Sequence, residues 1–236
     1  MTYMNAFRHA LIKAIADNMG ATDTGPVPPK KQGVPKKYEF TGETIVAGIH
    51  TLRRIRAIRD FADVKAGDLG GFIESSEHLS HDGDCWVRDN ARVCQRARVY
   101  GNAQIAGDAW IYGDARVYDN AKIHGKAWID GCVYGNAEVF GDVQTNYTTR
   151  IFDNAKVYGK AEVNGKVYGN AHVFGNACIY SDAEIFGNAK IFDDASVYSV
   201  AKIHGNAKIC GNASVCNNVS DNVIINSREK TLDQVA

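Results

Sequence analysis

No run of apolar residues in this 236-residue chain approaches the roughly 18 needed to cross a bilayer as a helix, and its N-terminus lacks the apolar core of a secretory signal. The expectation is a soluble, cytoplasmic protein that makes no membrane contact. Charge of one sign is lacking too. Lys plus Arg and Asp plus Glu stand at 27 each, so no global field draws the chain to nucleic acid or to an anionic surface. The six cysteines, Cys85, Cys94, Cys132, Cys178, Cys210 and Cys216, form no C-x-x-C pair and show no zinc spacing. Reduced thiols are expected and a bound metal is not. A Ser-His-Asp signature and a phosphate-binding glycine loop are missing as well. Prolines number only four, all within residues 21–36. With Lys30, Lys31 and Lys36 they mark an extended linker.

What fills the rest is a period of six. The pattern A-x-[VI]-x-G-[ND] places an aliphatic residue, position i, at strict six-residue steps from Val87 to Ile129, from Val133 to Val163 and from Val167 to Val215, with Thr145 the single exception in type. That makes 23 hexads. Six is neither a helical period nor a simple alternation; it suits a short strand followed by a tight corner. The aliphatic residue points inward, and the alanine two places before it fills the crowded corner. Glycine at i+2 supplies positive φ, and Asp119, Asp153, Ser181 and Asp193 replace it with types that tolerate such backbone. Three strands close a triangular coil of about 18 residues. Stacked at about 4.8 Å, the hexads predict seven to eight coils in a prism about 37 Å long.

The repeat over residues 85–218 resembles the hexapeptide-repeat family, which includes acyltransferases built on left-handed β-helices. The lead-in Ile58-Arg-Asp-Phe-Ala-Asp-Val-Lys-Ala-Gly-Asp-Leu-Gly-Gly-Phe-Ile-Glu-Ser, followed by Asp84-Cys-Trp-Val-Arg-Asp-Asn-Ala, resembles more narrowly the YdcK-type proteins of enterobacteria and their phages. That likeness covers about residues 55–218, and the group carries a transferase assignment. The expected fold is therefore all-β, a left-handed parallel β-helix with a β cap and a short N-terminal helix. Residues 1–20, with Phe7, Leu11, Ile12 and Ile15, read as an amphipathic helix, and 21–36 as the linker. Residues 37–84 read as the cap that covers an otherwise open row of strand edges. The β-helix then runs over 85–226, and 227–236 form a tail.

Two steps are short. Ile129 to Val133 and Val163 to Val167 span four residues, and counting in threes puts both on one side of the prism, flanking the stretch from Thr145 to Ile151 that abandons the alanine-glycine code. Asp130, Asn146, Tyr147 and Asn164 thus make one irregular patch, a candidate site because broken local rules tend to mark function. The outward positions i−1 and i+1 form columns. One face carries Arg98, Arg116, Cys132, Arg150, Lys166, Glu184 and Lys202 beside Tyr100, Tyr118, Tyr134, Phe152, Tyr168, Phe186 and His204. A second carries Lys122, Glu138, Lys156, His172, Lys190 and Lys208 beside His124, Phe140, Tyr158, Phe174, Phe192 and Cys210; the third is mixed, with Trp110, Tyr112 and Trp128. Such ladders support a solenoid by stacking, and a continuous basic-aromatic face also suits a protein partner or a second subunit, as dimer or trimer. Zero net charge and acidic corners weigh against nucleic acid.

Hexapeptide acyltransferases use a histidine base between subunits of a trimer, a groove for the acyl-CoA arm, and often a loop thrown out of a coil. No step between Val87 and Val215 exceeds six residues, so that loop is missing. His81, near Asp82 and Asp84, is the best base candidate, because a carboxylate there would orient its ring. His124, His172 and His204 occupy ladder slots. The balance favours a non-catalytic binding or scaffold protein without cofactor, and the resemblance to phage-borne members extends this to one that binds or inhibits a host complex. An acyltransferase using acetyl-CoA or another acyl-CoA is the alternative.

Overall fold

A computed structural model of the protein describes residues 33–226. The expected N-terminal helix, most of the linker and the tail at 227–236 lie outside the described residues. Within them the hexads fold as the period requires: short strands alternate with tight turns, and each strand pairs in parallel with the strand one coil on. Three sheets result, of eleven, nine and seven strands, forming the sides of a prism.

The inward aliphatic residues are fully buried along the whole stack, as are the corner alanines, so the core is one continuous column of small branched side chains. Each buried Val or Ile contributes roughly 1.5–3 kcal/mol relative to exposure, which no single coil collects without its neighbours above and below. The turns take positive φ at i+2 whatever residue stands there: Gly101 at 67°, Asp119 at 56°, Asp153 at 57°, Ser181 at 58° and Asp193 at 58°. Space is short as well as φ unusual, since a Cβ on Gly101 would sit 2.9 Å from the amide nitrogen of Asp119 in the next coil.

The stack reaches about nine turns, one or two more than the hexads predict. Coils at both ends are spelled without the Ala-Gly code and so escape a count of hexads. At the N-terminal end Phe72 and Ile73 pair in parallel with Arg92 and Val93, and Leu79 bridges to Val99. At the other end Val219 bridges to Ile203, and Ile225 pairs with Ile209.

Before the first coil, β1 (Tyr38–Ala47) and β2 (His50–Ala57) form an antiparallel hairpin, and β2 continues antiparallel onto β3 (Leu69–Ile73), which enters the eleven-stranded sheet. Tyr38, Ile55 and Phe61 pack over the end of the prism around Trp86, with the Phe61 and Trp86 rings 5.3 Å apart and edge-on. No helix among the described residues is long and apolar enough to cross a membrane.

Candidate functional site

The seven-stranded sheet carries the first basic-aromatic face, called here the tyrosine face. Its rings form one stack: Tyr100, Tyr118, Tyr134, Phe152, Tyr168 and Phe186 lie 4.8–4.9 Å apart and within 4° of parallel, and His204 closes the column 4.8 Å from Phe186. This spacing is that of the strands themselves, so the fold delivers the stack without further adjustment. Burial between neighbours pushes the Tyr100 and Tyr118 hydroxyls up in pKa, and Tyr168, half-buried and beside Glu184, rises to about 12. The Tyr168 hydroxyl donates to Glu184 at 3.2 Å. Beside the rings run the cations, partly neutralised by intruding carboxylates: Arg98 lies 3.3 Å from Glu77, and Lys166 and Lys202 lie 3.0 and 3.7 Å from Glu184. Arg150 donates to the Cys132 sulfur at 3.7 Å.

The nine-stranded sheet forms the phenylalanine face, with His124, Phe140, Tyr158, Phe174 and Phe192 stacked at 4.8–5.0 Å. The eleven-stranded sheet carries Trp110 and Trp128, 4.7 Å apart, and the Trp110 indole N–H donates to the Cys94 sulfur at 3.2 Å.

The two short steps and the stretch between them fall on one corner, between the tryptophan-bearing and tyrosine faces, because Trp128, Gln144 and Glu162 are consecutive on the first and Cys132, Arg150 and Lys166 on the second. Asp130, Asn146 and Asn164 are brought together there, with Tyr147 half-buried beside them. The geometry also explains the broken code. Backbone N–H groups reach the next coil through the column Ala97, Ala115, Gly131, Thr149, Gly165, Ala183 and Ala201, so the short steps place glycine where alanine is usual and set one larger Thr149 between two glycines. A Cβ on Gly131 would lie 2.8 Å from the Thr149 Cβ and 2.6 Å from its carbonyl oxygen.

Side chains then replace the ladder bonds that the shortened corners remove. The Thr145 hydroxyl accepts the Asp130 N–H at 3.1 Å, and the Asp130 carboxylate accepts the Asp114 N–H at 3.1 Å. Thr149 Oγ1 accepts the Asn146 N–H at 3.3 Å and donates to the Val163 carbonyl at 2.5 Å, bridging two groups that a regular coil would pair directly. Thr148 Oγ1 donates to the Asn164 carbonyl at 3.0 Å. Asp130, Thr145 and Thr149 are buried, yet each has a partner, as buried polar groups require. Compensated packing accounts for the residue types at this corner.

His81 sits in the cap, half-buried and stacked 4.4 Å from Tyr38. Its Nδ1 accepts the backbone N–H of Lys37 at 3.3 Å, rather than being oriented by Asp82 or Asp84 as expected from their proximity in sequence. Burial, and then the charges of Lys37, Lys36 and Arg59, push its pKa down.

Two features escaped the sequence. Lys37 is wholly buried, its ammonium nitrogen donating to the carbonyls of Gly83 at 3.0 Å and Cys85 at 2.8 Å and lying 3.3 Å from the Cys85 thiol. As the last of a basic run beside the linker, it gave no sign of this. The other is an amide ladder from Asn102 through Asn120, Asn136, Asn154, Asn170, Asn188 and Asn206 to Asn222, each Nδ2 donating to the next Oδ1 at 3.0–3.3 Å. Recurrence every third hexad was its available signal.

Among the described residues, no three metal-binding side chains cluster. The profile of the YdcK beta solenoid repeat matches residues 109–125. A stretch of 42 residues is 45% identical to the uncharacterized acetyltransferase YdcK of Escherichia coli (strain K12), covering 18% of this chain and 13% of the length of that protein. With its hexads and its parallel coils the chain is a hexapeptide-repeat β-solenoid, and the matched segments are similar to YdcK and its solenoid repeat.

Proposed function

We propose that the chain is a binding solenoid without catalytic activity of its own, which engages a protein partner through the tyrosine face. The observation that carries this reading is the unbroken column of rings along that face from Tyr100 to His204, beside a column in which Arg98, Arg116, Arg150 and Lys166 are interrupted by Cys132, on coils that extrude no loop. The rings present edges rather than faces, because both faces of each interior ring are covered at 4.8–4.9 Å. A nucleic-acid base therefore has no platform to stack on, whereas tyrosine edges and guanidinium groups suit a flat protein surface with carboxylates. The test is the triple change Arg98→Glu, Arg116→Glu and Arg150→Glu. A partner captured stoichiometrically by the wild-type chain should be lost with the melting temperature unchanged; retention of that partner sinks the reading. Light scattering on both proteins distinguishes a foreign partner from a second copy.

A second reading, an acyl-CoA-dependent acyltransferase with its site between subunits, is supported by the name of the similar E. coli protein and by one property of His81. Burial and nearby cations lower its pKa and favour the neutral imidazole, although the Nδ1 lone pair must first leave the Lys37 N–H to serve as a base. This reading requires acetyl-CoA binding and loss of transfer in His81→Ala; no binding at millimolar ligand removes it.

A further inference from the structure

The phenylalanine face differs from the tyrosine face in how its cations are matched. In its outward column Glu138 holds Lys156 at 3.0 Å and His124 at 3.5 Å. Beyond Lys156 the column continues, strand by strand in register, with His172, Lys190 and Lys208. Lys190 and Lys208 are exposed, stand on adjacent strands, and form no ion pair among the described residues. Like charges directly opposite in a sheet repel. On one side of this column lies the neutral amide ladder of Asn170, Asn188 and Asn206, whose groups satisfy one another. On the other, two residues along each strand, lie Tyr158, Phe174 and Phe192 beside Lys156, His172 and Lys190, and the half-buried Cys210 beside Lys208.

We propose that this part of the phenylalanine face binds an extended acidic polypeptide segment of alternating acidic and apolar residues, running along the axis of the solenoid. The cationic and aromatic strips lie about 6.8 Å apart, the distance between alternate residues of a strand. Side chains on one side of such a segment meet the lysines, and those on the other lie along the ring edges. Two carboxylates two residues apart, about 6.8 Å, fall within the about 9.6 Å from His172 to Lys208. Nucleic acid is disfavoured because the interior ring faces are closed and the column from Lys156 to Lys208 holds no arginine for bidentate phosphate contacts. The unmatched charge already acts on its neighbour: burial first, then Lys190 and Lys156, push the His172 pKa down. An anion over the column reverses the second effect.

The test uses the full chain and a blocked peptide of alternating Glu and Leu, followed by fluorescence anisotropy at low salt and by NMR titration of His172. Binding is expected, with a rise in the His172 midpoint and a loss of affinity of about tenfold or more in Lys190→Gln/Lys208→Gln. Both positions are exposed, so an unchanged circular dichroism spectrum is expected of the variant. The triple arginine variant of the tyrosine face should bind as the wild type does, which keeps this test separate from that of the proposed function. Equal affinity for a Gln-Leu peptide, unchanged affinity in the lysine variant, or tighter binding of a single-stranded thymidine oligonucleotide would each overturn the proposal.

Discussion

Replacing Thr149 with alanine restores the residue that the same corner carries at Ala97, Ala115, Ala183 and Ala201, and a repeat consensus alone predicts a gain in stability. The structure predicts the opposite. Thr149 Oγ1 is the sole bridge drawn between the Asn146 N–H and the Val163 carbonyl, at 3.3 and 2.5 Å. Without it the buried carbonyl loses its donor, a loss of about 1–3 kcal/mol, and the partly exposed N–H loses a bond worth about 0.5–1.5 kcal/mol. The missing methyl group adds about 0.8 kcal/mol, and closure of the N–H onto the carbonyl offsets part of the total. A net loss of about 2–3 kcal/mol is expected. Thr149→Ser keeps the bridge and should lose about 0.8 kcal/mol, whereas Thr149→Val keeps the volume and should lose most of the hydrogen-bond share. Urea denaturation followed by circular dichroism, with the slope unchanged between variants, measures each difference, and hydrogen exchange at the Asn146 amide localises it. An alanine variant as stable as the wild type, or a valine variant no worse than the serine one, refutes compensation at this corner.

The buried Lys37 makes stability depend on pH. Burial holds its pKa below the ordinary 10.5, so the unfolded chain binds a proton that the folded chain resists. Its stabilising share is therefore complete above 10.5 and is lost as pH falls through the folded value. The stability of the wild type relative to Lys37→Met should rise as pH climbs toward 10.5 in denaturant titrations, and a flat or falling difference over that approach contradicts the assignment. In the tyrosine stack, Tyr134 has ring neighbours at 4.8 and 4.9 Å, so Tyr134→Leu should cost about 1–3 kcal/mol beyond area loss. His204 ends the stack on Phe186, and His204→Leu should cost about half as much by the same measurement.

Read from residues alone, the hexads account for the inward column from Val87 to Val215, the three-sided stack, and the positive-φ turns at Asp119, Asp153, Ser181 and Asp193. All of these follow from local spacing, because a six-residue period admits few backbone paths and each turn carries its own chemistry. The ring columns were legible for the same reason, since stacking follows once the coil length is known. Coil length also put the two short steps on one side of the prism. It did not say why Asp130, Thr145 and Thr149 stand there, because the bonds they make replace ladder bonds between coils and exist only when those coils are stacked. The end turn at Leu79 fell in the predicted cap, and those at Val219 and Ile225, though within the predicted β-helix, escaped the count of hexads because they follow the pairing without the code.

Charge shows the same division. The sequence determined which residues face outward and in what order, so both basic-aromatic faces were visible as columns. Glu184 was legible between Lys166 and Lys202 in their column, but that Glu77 reaches Arg98 from the cap and that Lys190 and Lys208 meet no carboxylate among the described residues was not. Ion pairing falls off over a few ångströms and side chains reach across coils and faces, so only the tertiary structure decided it.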